Sequence, residues 1–388
     1  MFYTTLCLQE SAINHSGVAV MDLEEGVHEP KAMLPWQKVI VPPSKALSND
    51  HSEPPDALVL EHVHGLTVDR SRQSLFYTPK HELAYFGGSL GVIMNQQTRL
   101  QRFYSAHTAT ITAMALNPTH NVVATGDLSR APSIHIWSLE TLITLKVLKG
   151  YHRRAISHLR FSSSGEFLLS VGQDAFHTIA IYLWQTGHIV CCTPSFTKKS
   201  FACDFYPSST GFVHLGQDTI RFYSYTGRNV TYQDAVLSPR AKVQGYLCVG
   251  WIGNSAIVGT VDGALYRFLA HKLESIVQAH NGLVNALASS PDGICSVGSD
   301  GLVKIWTRFL ECRLIIEMKH LHAINLHVRC VDWDYNLGRI ILATAACEIF
   351  EISAADGENI HERALEEGHG GDELWGMAVN PTKEEFCT

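Results

Sequence analysis

One unit of sequence recurs along this chain at intervals of about 45 residues. Its clearest copy starts at His280, passes a Ser-Ser-Pro-Asp-Gly turn that ends at Gly293, and closes with Leu-Val-Lys-Ile-Trp at Trp306. Further copies start at His107 and His152. Each copy contains three or four short runs in which apolar and polar residues alternate, and turns rich in Asp, Ser and Gly separate the runs. This alternation predicts antiparallel strands rather than helices.

A single sheet of this kind is too small to bury both of its faces. Copies that pack radially into a ring cover one another and leave only short protected edges. Between His81 and Glu367 the chain holds about seven units of roughly 41 residues. We therefore predict an all-β fold, a β-propeller with about seven four-stranded blades. Hydrophobic residues make up 46% of the 388 residues, which is enough for a large core.

Four residues of the clearest copy predict an internal network. His280 precedes the first strand, Ser296 ends the second, Asp300 lies in the following turn, and Trp306 closes the third. This set resembles the side-chain network of WD-repeat propellers. The resemblance implies that the histidine bonds the aspartate and the serine, and that the indole N–H meets the serine. Because such a chain satisfies buried polar groups, we interpret the repeat histidines as structural and not catalytic.

Composition divides the chain into four segments. Residues 1–55 are rich in proline and polar residues and predict an extended leader without the heptads of a coiled coil. Residues 56–106 hold a hydrophobic motif and the first blade, and residues 107–367 hold the blades that complete the ring. Residues 368–388 read as the start of a further unit that stops partway into a strand.

The segment 56–106 carries the most individual motifs. Leu-Glu-His-Val-His-Gly ends at Gly65, an aromatic Leu-Phe-Tyr run follows, and Thr-Arg-Leu-Gln-Arg ends at Arg102. Later motifs are Ala-Thr-Gly, ending at Gly126, and Asp-Glu-Leu-Trp-Gly, ending at Gly376. Together they make the chain resemble the echinoderm microtubule-associated protein-like family over about residues 35–388. The resemblance implies that the hydrophobic (HELP) motif completes the propeller, and that a second propeller follows in that family.

The sequence departs from that family at two points. Arg-Ser-Arg at 70–72 stands where the family has Asp-Cys-Arg, and the N-terminal coiled coil of some relatives has no counterpart. The resemblance implies a non-catalytic microtubule-associated protein of the cytoplasm and cytoskeleton, including the cilium or flagellum. Its partners would be tubulin, microtubules or axonemal proteins. A general protein–protein interaction scaffold without tubulin contact is the alternative.

Basic residues are the candidate partner contacts, because tubulin presents acidic tails. They are Arg99, Arg102, Arg153, Arg154, Lys198 and Lys199. Ordinary solvated loop charges are the alternative interpretation. The formal net charge of −7 argues against bulk attraction to nucleic acid or to anionic membranes. Ten cysteines without a Cys-x-x-Cys pair are typical of a reducing compartment, and no apolar run predicts a transmembrane helix.

Two local patterns raise the question of chemistry. Gly-Gly-Ser-Leu-Gly around Ser89 fits the nucleophile elbow of hydrolases, but that motif needs a helix after the serine, and here a strand is predicted. His62 and His64 have the i, i+2 spacing of one strand face, and a chelating site would need a third ligand. We therefore predict no catalytic residue, no cofactor and no metal.

Overall fold

The computed structural model describes residues 59–368, apart from positions 70 and 72, and the backbone of two short strands beyond them. The first four blades contain, in chain order, β1 (Leu75–Tyr77), β2 (Leu83–Gly87), β3 (Leu90–Met94), β4 (Gln101–Tyr104), β5 (Ile111–Leu116), β6 (Val122–Asp127), β7 (Ile134–Ser138), β8 (Thr144–Leu148), β9 (Ile156–Phe161), β10 (Phe167–Gly172), β11 (Ile179–Leu183), β12 (His188–Thr193), β13 (Ser200–Phe205), β14 (Gly211–Gly216), β15 (Ile220–Thr226) and β16 (Asn229–Asp234).

Three further blades follow in the same order. Their strands are β17 (Tyr246–Ile252), β18 (Ser255–Thr260), β19 (Ala264–Leu269), β20 (Lys272–Gln278), β21 (Val284–Ser290), β22 (Gly293–Gly298), β23 (Leu302–Thr307), β24 (Cys312–Glu317), β25 (Val328–Asp334), β26 (Arg339–Thr344) and β27 (Ile349–Ser353). A 3-10 turn at Met318–Leu321 precedes β25. Each of these sheets is an antiparallel meander in which neighbours in the chain are neighbours in space.

Burial falls from the second strand of a blade to its outer edge. Every residue of β14, β18 and β22 is buried, because the second strand packs against the neighbouring blades on both faces. The outer strands β16 and β20 consist of exposed and half-buried residues. This gradient explains why the second strands are mostly apolar whereas the outer strands carry more polar residues.

The ring is closed. Seven hydrophobic clusters fill the interior of the described residues, and each lies between two adjacent blades, including one that joins blade 7 to blade 1. The predicted all-β propeller with about seven blades is therefore confirmed. Six of the blades have the predicted four strands, whereas blade 7 has a regular sheet of only three.

The joint between blades 7 and 1, which we call the seam, is built differently from the other joints. Residues 358–366, the closure segment, run beside β27 in place of a fourth strand and meet it through isolated bridges at Asn359 and Glu366. Residues 59–68, the seam segment, bury Val63, Leu66 and Val68 between the two blades. Blade 7 therefore has no regular fourth strand among the described residues, because the pairing of the closure segment with β27 is interrupted between those bridges.

Blade 3 corrects one detail of the repeat. The sequence pattern ends that unit at Trp184, but β11 ends at Leu183. In the strand register Tyr182 lies opposite Leu168, just as Trp306 of blade 6 lies opposite Ile294. Tyr182 therefore takes the place of the repeat tryptophan. The Trp184 indole instead donates to the carbonyl of Gly165, at 2.7 Å.

Several predictions fall at the margins of the described part. The leader 1–55, the two arginines of the Arg-Ser-Arg motif, and most of 368–388 with its Asp-Glu-Leu-Trp-Gly motif lie outside the described residues. Beyond residue 368, β28 (Ala378–Val379) pairs with β29 (Phe386–Cys387). The four segment boundaries stay predictions. Among the described residues no helix has the length and apolar character needed to cross a membrane.

Candidate interaction surface

The network of blade 6 fixes two loops at one end of the ring. His280 Nδ1 lies 2.9 Å from Asp300 Oδ1, and His280 Nε2 lies 2.8 Å from Ser296 Oγ. The Trp306 indole N–H donates to the same Ser296 oxygen at 2.8 Å. Asp300 also accepts from the backbone N–H of Asn281, so the network holds both the turn and the chain that enters the blade. Burial lowers the pKa of His280, which keeps the ring neutral at pH 7.

Blade 2 repeats this network with threonine in place of serine. His107 Nε2 lies 2.8 Å from Thr125 Oγ1, His107 Nδ1 lies 3.3 Å from Asp127, and Trp137 donates to Thr125 at 3.1 Å. Burial opposes ionisation of Asp127, but hydrogen bonds from His107 and Ser133 prevail and lower its pKa to about 2. The carboxylate is therefore charged at neutral pH and holds the ring in place.

Blades 3 and 4 carry modified versions. His152 Nε2 lies 2.6 Å from Ser170 Oγ, and burial lowers the pKa of His152 to about 4. In blade 4 the histidine sits on the second strand, where His214 lies between Ser195 at 2.8 Å and Ser200 at 2.7 Å. Sequence reasoning missed His214, because it does not precede the first strand of its unit. The signal was a histidine inside the apolar run Phe-Val-His-Leu.

These networks lie at the end of the ring that carries the connections between blades. In an antiparallel meander, these connections and the turns between second and third strands lie at one end, and the other turns lie at the opposite end. We call the first end the connection face and the second the turn face. Asp300 and Asp127 both anchor loops of the connection face. Its loops are therefore supported from within the blades, which is what a rigid binding surface requires.

The connection face is basic. The six described connections are residues 105–110, 149–155, 194–199, 235–245, 279–283 and 318–327. They contain no Asp or Glu, and all their lysines and arginines are exposed: Lys149, Arg153, Arg154, Lys198, Lys199, Arg240, Lys242 and Lys319. All but Lys319 lie in the three consecutive connections between blades 2 and 5, a set that we call the basic arc.

The acidic residues of the same face form hydrogen bonds or ion pairs within the protein. They lie in the turns between second and third strands, and there Asp262 accepts from Thr260 at 2.7 Å and Glu348 accepts from Thr344 at 2.6 Å. Asp174 bonds Thr178 in the same way. These side chains satisfy loop hydroxyl groups. Asp218 of the same face pairs with Lys198, so the other six basic residues of the arc provide its exposed positive charge.

The six predicted basic contacts divide between two places. Arg153 and Arg154 are exposed in the connection between blades 2 and 3, Lys198 pairs with Asp218, and the Lys199 ammonium lies 5.5 Å from the centre of the Phe201 ring. These four belong to the basic arc.

Arg99 and Arg102 lie elsewhere and bond within the chain. Arg99 donates to the carbonyl of Leu365 at 2.9 Å, and Arg102 donates to Glu82 at 2.7 Å and to the carbonyl of Leu139 at 3.1 Å. Arg99 thereby ties the closure segment to blade 1. The roles of all six residues in partner binding stay predictions.

The Ser89 motif and the His62/His64 pair, which resemble a catalytic and a metal-binding pattern, have different surroundings. Ser89 lies in the hairpin turn between β2 and β3, so the segment after it is a strand and not the helix of a nucleophile elbow. His62 and His64 lie on the seam segment, and the structure brings Glu366 of the closure segment next to both. Sequence reasoning missed Glu366, since 304 residues separate it from His62.

A closed ring of seven such blades, with histidine–carboxylate–hydroxyl–indole networks in blades 2 and 6, defines a WD-repeat β-propeller. The family model described as echinoderm microtubule-associated protein first beta-propeller matches residues 100–352. The chain belongs to this family, and the predicted family resemblance is confirmed. The presence of a HELP motif in 56–106 stays a prediction.

The relatives of known name agree with this assignment. Echinoderm microtubule-associated protein-like 4 of Mus musculus is 24% identical over 364 residues, which is 86% of this chain and 36% of the relative. The 77 kDa echinoderm microtubule-associated protein of Lytechinus variegatus is 25% identical, over 87% of this chain and 52% of the relative. Echinoderm microtubule-associated protein-like 1 of Rattus norvegicus is 26% identical, over 86% and 42%. The chain thus spans about half or less of the length of these relatives.

Solved structures support the fold alone. The computationally designed Ika8 protein superposes with a TM-score of 0.58 at 18% identity, covering 78% of this chain and 92% of that one. The β-propeller domain of Myceliophteria thermophila Cps50 (Swd1) superposes with a TM-score of 0.56 at 15% identity, covering 64% and 84%.

Proposed function

We propose that this propeller is a non-catalytic microtubule-associated protein that binds tubulin through the basic arc of its connection face. Membership of the echinoderm microtubule-associated protein family is the observation that carries the proposal. No bond is made or broken in this function, and the working parts are loops held rigid by the blades. The protein would act at cytoplasmic microtubules, including those of a cilium or flagellum.

Charge supports the choice of face. The chain as a whole carries a formal net charge of −7, so its attraction to an acidic polymer must come from a local surface. The basic arc places Arg153, Arg154, Lys199, Arg240 and Lys242 on adjacent loops without an acidic residue among them. Such a surface steers association with tubulin's acidic tails, and salt screens that attraction over about 8 Å at physiological ionic strength.

Cosedimentation of the full chain with stabilised microtubules tests the proposal. We expect pelleting at low salt that weakens as salt is raised to the physiological range. The double charge reversal Arg153→Glu/Arg154→Glu should weaken binding at least about tenfold, because like charges then face the acidic tails.

The matched control reverses two charges on the turn face. Arg228 and Arg308 are exposed there, so Arg228→Glu/Arg308→Glu changes net charge equally while leaving the arc intact. Binding of this control should stay within about twofold of the unchanged protein. Absence of pelleting at both salt concentrations would overturn the microtubule proposal. An equal loss in both double variants would overturn the assignment to the basic arc.

A further inference from the structure

Three metal-ligating side chains from opposite ends of the chain meet at the seam. His62 Nε2 lies 3.0 Å from Glu366 Oε1, and His64 Nδ1 lies 4.0 Å from Glu366 Oε2. The two imidazole centres are 4.7 Å apart, and one ligand atom of each residue falls within 4.8 Å of the others. The third ligand that the i, i+2 histidine pair needed is therefore supplied by the fold.

The spacing suits a small tetrahedral ion. Ligand atoms at bond lengths of about 2.0–2.2 Å from a zinc ion lie roughly 3.3–3.6 Å from one another. The distances of 3.0 and 4.0 Å fall on either side of that range. His64 is half exposed, so its ring can turn toward the carboxylate, and the side open to solvent leaves a fourth position for water.

The carboxylate is held firmly in place. Glu366 is buried, and its backbone carbonyl accepts from Ile349 N at 2.9 Å while Leu365 N donates to Ile349 O at 2.7 Å. Arg99 donates to the Leu365 carbonyl from the other side. On the seam segment, Val63 bonds the Gln101 amide through both its N–H and its carbonyl, at 2.7 and 3.0 Å. Both the seam segment and the closure segment are thus held in place before an ion binds.

The Gln101 amide lies beside two of these three side chains. Its nitrogen is within 3.2 Å of one atom each on His62, Val63, Tyr85 and Glu366. Gln101 can donate to two of these atoms, and the Tyr85 hydroxyl and the His62 imidazole carry hydrogens of their own. With an ion between the imidazoles and the carboxylate, Gln101 would orient the ligands without touching the ion.

We propose that His62, His64 and Glu366 bind one divalent transition-metal ion, with zinc the best match to two imidazoles and a carboxylate. The ion would join the seam segment to the closure segment and so fasten the ring where its first and last blades meet. This inference is independent of the proposed microtubule binding.

A second cluster of the same residue types is already hydrogen-bonded within the fold. His107, Asp127 and His135 also gather, but all three are buried and already bonded. The His135 ring nitrogens lie 2.8 Å from the Tyr104 hydroxyl and 3.1 Å from Ser133 Oγ. Every ring nitrogen there has a hydroxyl or carboxylate partner.

The test is zinc binding to the metal-free full chain, measured by competition with a chromophoric chelator. We expect one high-affinity zinc ion per chain and an increase in thermal unfolding temperature on its addition. His64→Ala should abolish both effects, so the unfolding temperature of this variant should be the same with and without zinc. His62→Ala should also abolish zinc binding, and His188→Ala, which removes an exposed histidine far from the seam, should retain it.

Cobalt(II) distinguishes this site from binding by thiols. Among the described residues the exposed cysteines are Cys192 and Cys312. We expect a visible absorption band without thiolate charge transfer, retained in Cys192→Ser/Cys312→Ser and lost in His64→Ala. The proposal is overturned if metal-free protein binds no zinc, if His64→Ala binds it as tightly as the unchanged chain, or if the thiol variant alone loses it.

Discussion

Blade 6 and the seam meet the same demand, burial of polar groups in a packed joint, with different side chains. Blade 6 uses a neutral ring, a hydroxyl and an indole around one carboxylate, Asp300, at the rim. The seam buries Glu351 completely and surrounds it with Tyr77 from blade 1, His361 from the closure segment and Arg339 from β26. The repeat network is local, whereas the seam joins residues up to 304 positions apart.

This difference shows which interactions form within one blade and which depend on closure of the whole ring. A repeat network can form as soon as its own blade folds, because all its members belong to one unit. The seam network forms only after the last blade contacts the first, so its free energy stabilises the closed ring as a whole. Variants at the seam should therefore test closure, and variants in blade 6 should test a single blade.

The largest expected effect is that of Glu351→Ala. The Tyr77 hydroxyl donates to Glu351 at 3.0 Å and His361 lies 2.6 Å from it, so the variant leaves the buried Tyr77 hydroxyl and the half-buried His361 ring without their partner. Burial, together with the Glu351 carboxylate, raises the pKa of Tyr77 far above its ordinary value, so the hydroxyl stays a donor. We expect a loss of roughly 3–5 kcal/mol in the free energy of unfolding, measured by urea denaturation.

Glu358→Ala is the control for that measurement. Glu358 lies in the same closure segment but is exposed, so its removal should change the unfolding free energy by less than about 0.5 kcal/mol. Equal effects of the two variants would show that the buried carboxylate does not hold the seam.

The pH dependence of stability should differ in direction between a repeat network and the seam. Burial lowers the pKa of His152 in blade 3 to about 4, from 6.5 in the unfolded chain. The unfolded state therefore takes up the proton first, and this residue makes stability fall as pH drops from about 6.5 to about 4. At the seam, burial raises the pKa of Asp332 to about 6, from 3.8. There the folded state takes up the proton first, so the contribution is complete below pH 3.8 and is lost as pH rises through about 6.

Matched variants should reveal these opposite slopes. His152→Asn should remove part of the acid sensitivity, of the order of 2–3 kcal/mol between pH 7 and 4. Asp332→Asn keeps an oxygen for the Tyr77 N–H, which donates to Asp332 at 2.9 Å. Its stability relative to the unchanged protein should improve as pH rises from 4 to 7. Urea midpoints at intervals across this range measure both effects, and parallel curves for all three proteins would contradict the assignment.

The local networks were predictable from sequence, and the long-range ones were not. His280, Ser296, Asp300 and Trp306 stand at fixed offsets within one repeat, so the spacing of their residue types is enough to identify them. Glu366 could not be found in this way, because nothing in the chain near His62 points to a residue 304 positions away. The same holds for the closure segment, which follows no strand pattern and packs as it does only because blade 1 is there.

Strand register, and which loops share one face of the ring, were the other features that could not be predicted from sequence. The substitution of Tyr182 for a repeat tryptophan depends on strand pairing, and a shift of one residue moves a side chain to the opposite face of a sheet. The basic pairs at 153–154 and 198–199 were visible in the sequence. That they share one face with Arg240 and Lys242 depends on where each strand ends, which the sequence pattern places only approximately.

The smallest expected effect tests how much a repeat network contributes by hydrogen bonding alone. Trp306→Phe keeps an aromatic ring in the cluster between blades 5 and 6 but removes the N–H that donates to Ser296 at 2.8 Å. The serine keeps its bond to His280, so the loss should be only about 1 kcal/mol in the free energy of unfolding. Trp184→Phe is the counterpart in blade 3, where the indole donates to a loop carbonyl and not to the histidine network. If Trp306→Phe cost as much as Glu351→Ala, the indole would contribute to ring closure, and the distinction between a local blade network and a cooperative seam would fail.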